Sequence, residues 1–148
     1  MRSPRASGYT MLEVMIVLVI LAILAAIAFP SYQEAIVKAK RTEGRTALMK
    51  AMQQQERYYS LHSTYLEFSF ASTDADGRKF SWFSGETSTS SSYEISAQAC
   101  KDKLIRDCVL LIAQPGTAKV DARYRDPVCG QLSLSSTGEK LAHAAHCW

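Results

Sequence analysis

From Met11 to Phe29 every residue is apolar except Glu13, and beyond Pro30 the pattern changes to mixed apolar and charged positions. At about 1.5 Å per residue a helix over the apolar run spans about 28 Å, the thickness of a bilayer core. Downstream, Ile36, Ala39, Ala47, Ala51 and Tyr58 recur at helical spacing with Leu48, Met52 and Tyr59 beside them, while Lys38, Lys40, Arg41, Arg45, Lys50 and Arg57 fall mostly elsewhere. The two patterns predict one long helix from about Thr10 to Tyr59. Pro30 lacks an amide hydrogen and its ring crowds the preceding turn, so it kinks or ends the apolar part. Gly44 costs about 1 kcal/mol against Ala in a helix and marks a close neighbour or a flexible point.

Residues 60–92 carry few regular signals, only the turn sequence DADG and the run TSTSSS. The aromatics Tyr65, Phe68, Phe70, Phe80, Trp82 and Phe83 indicate a region that folds back over the core. DADG lacks the later acidic ligands of a calcium loop and reads as a turn. Three strand-like stretches follow: YEISAQA with alternation, the apolar CVLLIAQ, and CGQLSLS with Leu132 and Leu134 on one face. A long helix followed by antiparallel strands predicts an α+β protein. The segments are a leader at 1–8, a membrane helix at 9–30, an amphipathic helix at 31–59, a connecting region at 60–92, and a sheet with its tail at 93–148.

Composition agrees: 148 residues with 47% hydrophobic and 21% charged content suit one small domain plus a membrane element. Arg2 and Arg5 precede the apolar run with no acid nearby, which places the N-terminus in the cytoplasm and everything after Pro30 outside. Cys100, Cys108, Cys129 and Cys147 are even in number and lie in the exported half. Four cysteines allow three pairings, and proximity favours Cys100 with Cys108 and Cys129 with Cys147, each bridge contributing about 2–4 kcal/mol. The H-x-x-H-C cluster of His143, His146 and Cys147 is a rival zinc reading, but an oxidised Cys147 cannot ligate, so no metal and no cofactor is expected.

Glu13 is the anomaly, because an acid at membrane depth costs about 2.5–3.5 kcal/mol and calls for a partner. No small-residue cleavage site follows the apolar run; a short basic leader ending in Gly8 precedes it instead. Gly8, an aromatic at Tyr9, Thr10, an acid five places after the glycine and a proline closing the run together resemble the type IV pilin family with its prepilin leader. The resemblance implies the type IV pilin fold, cleavage between Gly8 and Tyr9 by a membrane-embedded prepilin peptidase, and methylation of the new amine of Tyr9, where the family usually has Phe. It also implies that Glu13 neutralises the N-terminal amine of a neighbouring subunit in the apolar filament core, setting axial register. RTEGRTAL, QERYY and VCGQLSLSSTGEK with the terminal CW further resemble PilE-type minor pilins, whose relatives include the ComP DNA-receptor pilins.

The partners so implied are other pilin subunits in a helical filament, the peptidase, the inner-membrane assembly platform and, before assembly, the membrane itself. The expected location is the inner membrane with a periplasmic domain, then the extracellular pilus. Nucleophile elbows and phosphate-cradling loops are missing, so an enzyme is not expected. A minor pilin that helps start the filament or is incorporated into it is the favoured reading; a DNA receptor, a type II secretion pseudopilin and a major pilin are the alternatives. DNA would be held by Lys101, Lys103, Arg106, Lys119, Arg123 and Arg125, most of them expected near one end of the sheet. Asp102, Asp107, Asp121 and Asp126 are interleaved, and losing Arg2 and Arg5 with the leader takes the formal charge from +3 to +1, which does not by itself argue for phosphate binding.

Overall fold

The computed structural model describes residues 8–148; the leader expectations resting on residues 1–7, Arg2 and Arg5 among them, lie outside it. The chain divides into two units, residues 1–36 and 37–148. One helix, α1, runs Met11–His62 with Pro30 inside it. The Thr10 hydroxyl accepts the Glu13 amide at 3.2 Å and caps its start. From residue 8 to Ile36 every residue is exposed, so this part of α1 buries none of its apolar side chains within the chain.

In the second unit α1 buries Arg41, Gly44, Leu48, Ala51 and Gln55, a spacing of three and four that puts all five on one face. Ala47, Met52 and Tyr58 flank it half-buried, whereas Ile36, Ala39 and Tyr59 are exposed. The buried stripe is therefore rotated from the one apolarity predicts, because two polar side chains, Arg41 and Gln55, find partners inside. Gln55 is fully buried, donating to the Leu66 carbonyl at 2.6 Å and accepting the Leu66 amide at 2.9 Å. That pair ties the chain down just after the helix ends, where Ser63 takes a positive φ of 56°.

The sheet is an antiparallel meander, β1 Tyr93–Ala99, β2 Val109–Pro115, β3 Leu132–Ser135 and β4 Lys140–Leu141, in that order. Strand β4 carries no alternation that would have marked it in the sequence. Alternation sends Tyr93, Ile95 and Ala97, Val109, Leu111 and Ala113, and Leu132 and Leu134 into the core against Leu48 and Ala51. Residues 63–92 close the free edge of β1: Phe68 bridges to Ala97 and Phe83 to Glu94, and Phe68 stacks on Phe80 at 4.7 Å, both buried. Gly77 donates to the Asp74 carboxylate, so DADG folds as a turn leading into a short 3-10 segment, Gly77–Lys79. Gly44 does mark a close neighbour: a β-carbon there would come within 2.8 Å of the buried Tyr93 ring.

Candidate functional site

The six basic residues do not gather at one end of the sheet. In the β1–β2 pairing Ala99 faces Val109 and Tyr93 faces Pro115, so the 100–108 connection and the segment after Pro115 leave from opposite ends of these strands. At about 3.4 Å per residue the two ends are about 20 Å apart. Lys101, Lys103 and Arg106 belong to the first end, and Lys119, Arg123 and Arg125 to the second. Antiparallel pairing of consecutive strands makes this separation unavoidable.

The first group sits on a closed loop. Cys100 and Cys108 are joined by a disulfide and their backbones by a Cys100 amide to Cys108 carbonyl bond of 3.1 Å. Inside, the Lys103 amide donates to Cys100, and the Leu104 carbonyl accepts from Asp107 at 2.9 Å and Cys108 at 3.1 Å. Asp102 adopts φ 57° at the first turn, and Ile105 packs against the core. Lys101, Lys103 and Arg106 are exposed; Arg106 lies 3.7 Å from Asp107, and the two lysines make no ion pair among the described residues.

At the other end the three cations are also exposed, and two of them make contacts of their own. Arg125 Nη1 donates to the Ala122 carbonyl at 2.6 Å and the Tyr124 carbonyl at 2.8 Å, organising the turn that begins at Gly116 with φ 60°. Arg125 is exposed and spends one guanidinium nitrogen on the carbonyls of its own loop. Lys119 Nζ stands 4.1 Å from the Phe70 ring centroid and ties this loop to the 63–92 region. Arg123, 96% exposed in its side chain, lies 3.7 Å from Asp121.

Between the segment after Pro115 and α1 lies a polar cluster that no sequence pattern announced. Asp126 accepts from Arg41 Nε and Nη2, both at 2.8 Å, from the Tyr93 hydroxyl at 2.9 Å and from the Cys129 amide at 3.0 Å. The Tyr93 and Tyr124 hydroxyls are 3.2 Å apart. Burial works to raise the Asp126 carboxyl, but the hydrogen bonds from Arg41, Cys129 and Tyr93 outweigh it and hold the group below the usual carboxylate value. The Asp126 hydrogen bond raises Arg41, and burial raises both Tyr93 and Tyr124. A carboxylate with four donors inside a small domain fixes where the 116–129 segment meets α1.

Cys129 and Cys147 form the second disulfide, and His146 Nδ1 or Nε2 lies within 4.8 Å of both sulfurs. The structure places the pair in covalent use, so neither sulfur is available as a thiolate ligand. His143, the third member of the sequence cluster, is exposed and its amide donates to the Cys129 carbonyl at 3.1 Å. In the first unit Gly8 and Tyr9 are exposed ahead of α1, and Glu13 is exposed in its first turn.

Comparison with known proteins gives these features a family. Residues 30–133 match the family described as type IV minor pilin ComP, DNA uptake sequence receptor, and residues 3–29 match the prokaryotic N-terminal methylation motif. The type IV major pilin protein PilA of Myxococcus xanthus is 36% identical over 66 residues, 45% of this chain and 30% of that protein, so the chain spans less than a third of that relative's length. A solved type IV pilin structure from Shewanella oneidensis is similar over 76% of this chain and 97% of the other, with 24% identity and a TM-score of 0.48. With more than two thirds of its residues inside one family match and the methylation motif ahead of them, the chain belongs to the type IV pilins, in the family of the minor pilin ComP.

Proposed function

We propose that this chain is a minor type IV pilin, a structural subunit that enters the pilus and helps start its assembly. The observation that carries the reading is the first unit: from residue 8 to Ile36 the helix is exposed throughout, apolar from Met11 to Phe29 but for Glu13, and preceded by the methylation motif. So much uncovered apolar surface needs lipid first and other subunits later. Prepilin peptidase cuts between Gly8 and Tyr9 and methylates Tyr9. The helix then holds the protein in the inner membrane with its sheet domain in the periplasm until the assembly platform passes it into the filament. There Glu13 pairs with the N-terminal amine of a neighbouring subunit, and Pro30 sets the path of the helix at the edge of the apolar stretch.

The test is Glu13→Val. The variant is expected to accumulate in the membrane at wild-type level, to be cleaved and methylated at Tyr9 by mass spectrometry, and to be missing from sheared pili. Wild-type amounts of the variant in pili would refute the pairing. A mature chain beginning after Ala26 would refute the pilin reading altogether.

A second reading, capture of duplex DNA for uptake, is favoured by the family match over residues 30–133. The surface it would use is the stapled loop with Lys101, Lys103 and Arg106, three exposed cations on one disulfide-closed turn. A full chain in detergent that fails to shift a labelled duplex at 50 mM salt would dismiss it.

A further inference from the structure

We propose that Leu104 is an apolar wedge that enters a base step of duplex DNA while Lys101, Lys103 and Arg106 hold the phosphates on either side. The inference rests on the DNA-capture reading above. Leu104 is 57% exposed at the turn of a loop whose backbone is fixed on both sides of it. The Cys100–Cys108 disulfide closes the loop, and the Leu104 carbonyl is held by two amides, Asp107 and Cys108. Its neighbour Ile105 is anchored against the core, so one of two consecutive leucine-sized side chains fastens the loop and the other stands out into solvent. A loop backbone held in this way loses little conformational freedom when its tip inserts.

The surroundings select the partner. Three exposed cations lie within three residues of Leu104; Asp102 lies between two of them and Asp107 follows Arg106 at 3.7 Å, so three cations against two acids leave the loop a net +1. Cations flanking an apolar tip match the groove-and-wedge arrangement in which a side chain partly unstacks a base step and bends the duplex by roughly 20–90°. Such a contact favours pyrimidine–purine steps, which unstack most easily, over stiff A-tracts. A bilayer is the poorer fit, since one leucine buries too little apolar surface to hold a protein at a membrane, and this chain already has a helix for that purpose.

The experiment uses the full mature chain in detergent with 30-base-pair duplexes carrying a donor and an acceptor dye at their ends, one with a central TA step and one with a central A-tract. Binding is followed by anisotropy and bending by energy transfer. The wild type is expected to bend the TA duplex and to prefer it by roughly tenfold, the effect of one discriminated base pair. Leu104→Ala is expected to keep binding but lose the bend and the preference, and Leu104→Phe to keep both. Lys101→Ala/Arg106→Ala is expected to weaken binding to both duplexes alike. Binding by the wild type without bending, or bending unchanged in Leu104→Ala, overturns the wedge and leaves the receptor reading standing. No binding of either duplex at 50 mM salt overturns both. Leu104-dependent sedimentation with phosphatidylglycerol vesicles, with no bend in DNA, or loss of Leu104→Ala from sheared pili, assigns the tip to lipid or to a neighbouring subunit and overturns the wedge as well.

Discussion

Replacing Asp126 by alanine removes the acceptor of four hydrogen bonds at once and leaves the Arg41 guanidinium, 10% exposed in its side chain, with no anion. Breaking a buried pair from one side costs about 3–5 kcal/mol, because the remaining charge stays desolvated. The Cys129 amide also loses its partner, a penalty of about 1–3 kcal/mol when nothing replaces it. Tyr93 keeps its contact with Tyr124, which limits the loss. These penalties overlap, so the expected total is about 4 kcal/mol, a large share of the about 5–15 kcal/mol that holds a domain together. Urea unfolding of the full chain in detergent, followed by tryptophan fluorescence and circular dichroism, measures it. Arg41→Met/Asp126→Leu, which removes both charges and keeps the volume, is expected to recover most of the loss. The pH dependence has a definite sign: the folded Asp126 titrates below its unfolded value of about 3.9, so its contribution is complete above that pH and is lost as pH falls through the lower folded value. A loss under about 1 kcal/mol in Asp126→Ala, or a paired variant as unstable as the single one, would show that the cluster does not fasten the loop to the helix.

Gly44→Ala is expected to destabilise by about 1–3 kcal/mol despite alanine's better helix propensity, because the new methyl meets the immobile Tyr93 ring; denaturant midpoints check it. Burial raises Tyr93 and Tyr124 above the usual phenol value of about 10, so both are expected to ionise later than the exposed tyrosines, and stability to fall as pH rises past about 10, where the unfolded chain ionises them first; absorbance titration at 295 nm against circular dichroism follows both. Gly8→Val is expected to leave the precursor uncut, since a branched β-carbon obstructs the scissile backbone, and appearance of Tyr9-started protein in the mass spectrum would refute that.

Period and composition made α1 and the first three strands readable, since eighteen apolar residues in a run of nineteen and two clean alternations admit few other structures. The limits of that legibility are physical. Arg41 sits among cations that face solvent, and only Asp126, 85 residues away, makes its burial tolerable. The interior face of α1 therefore cannot be read from apolarity alone. Strand β4 has two residues and owes its existence to pairing with Ser133 and Leu134, not to its own propensity. The basic residues were visible as residues, but their division between two ends follows from strand pairing, and Arg125's hold on its own loop from the Ala122 and Tyr124 carbonyls.

The two disulfides also give the chain a covalent topology that differs from a line. Cys100–Cys108 and Cys129–Cys147 close two rings, and a backbone nick between 101 and 107 or between 130 and 146 opens a ring without detaching anything. The 63–92 stretch has no such protection, although it is the link between α1 and the sheet. A protease that cuts the basic loop or the tail would therefore leave the pieces joined by a disulfide, whereas a single cut in the serine-rich connection would leave the helix held to the sheet by non-covalent contacts alone, core packing and the Arg41–Asp126 pair among them.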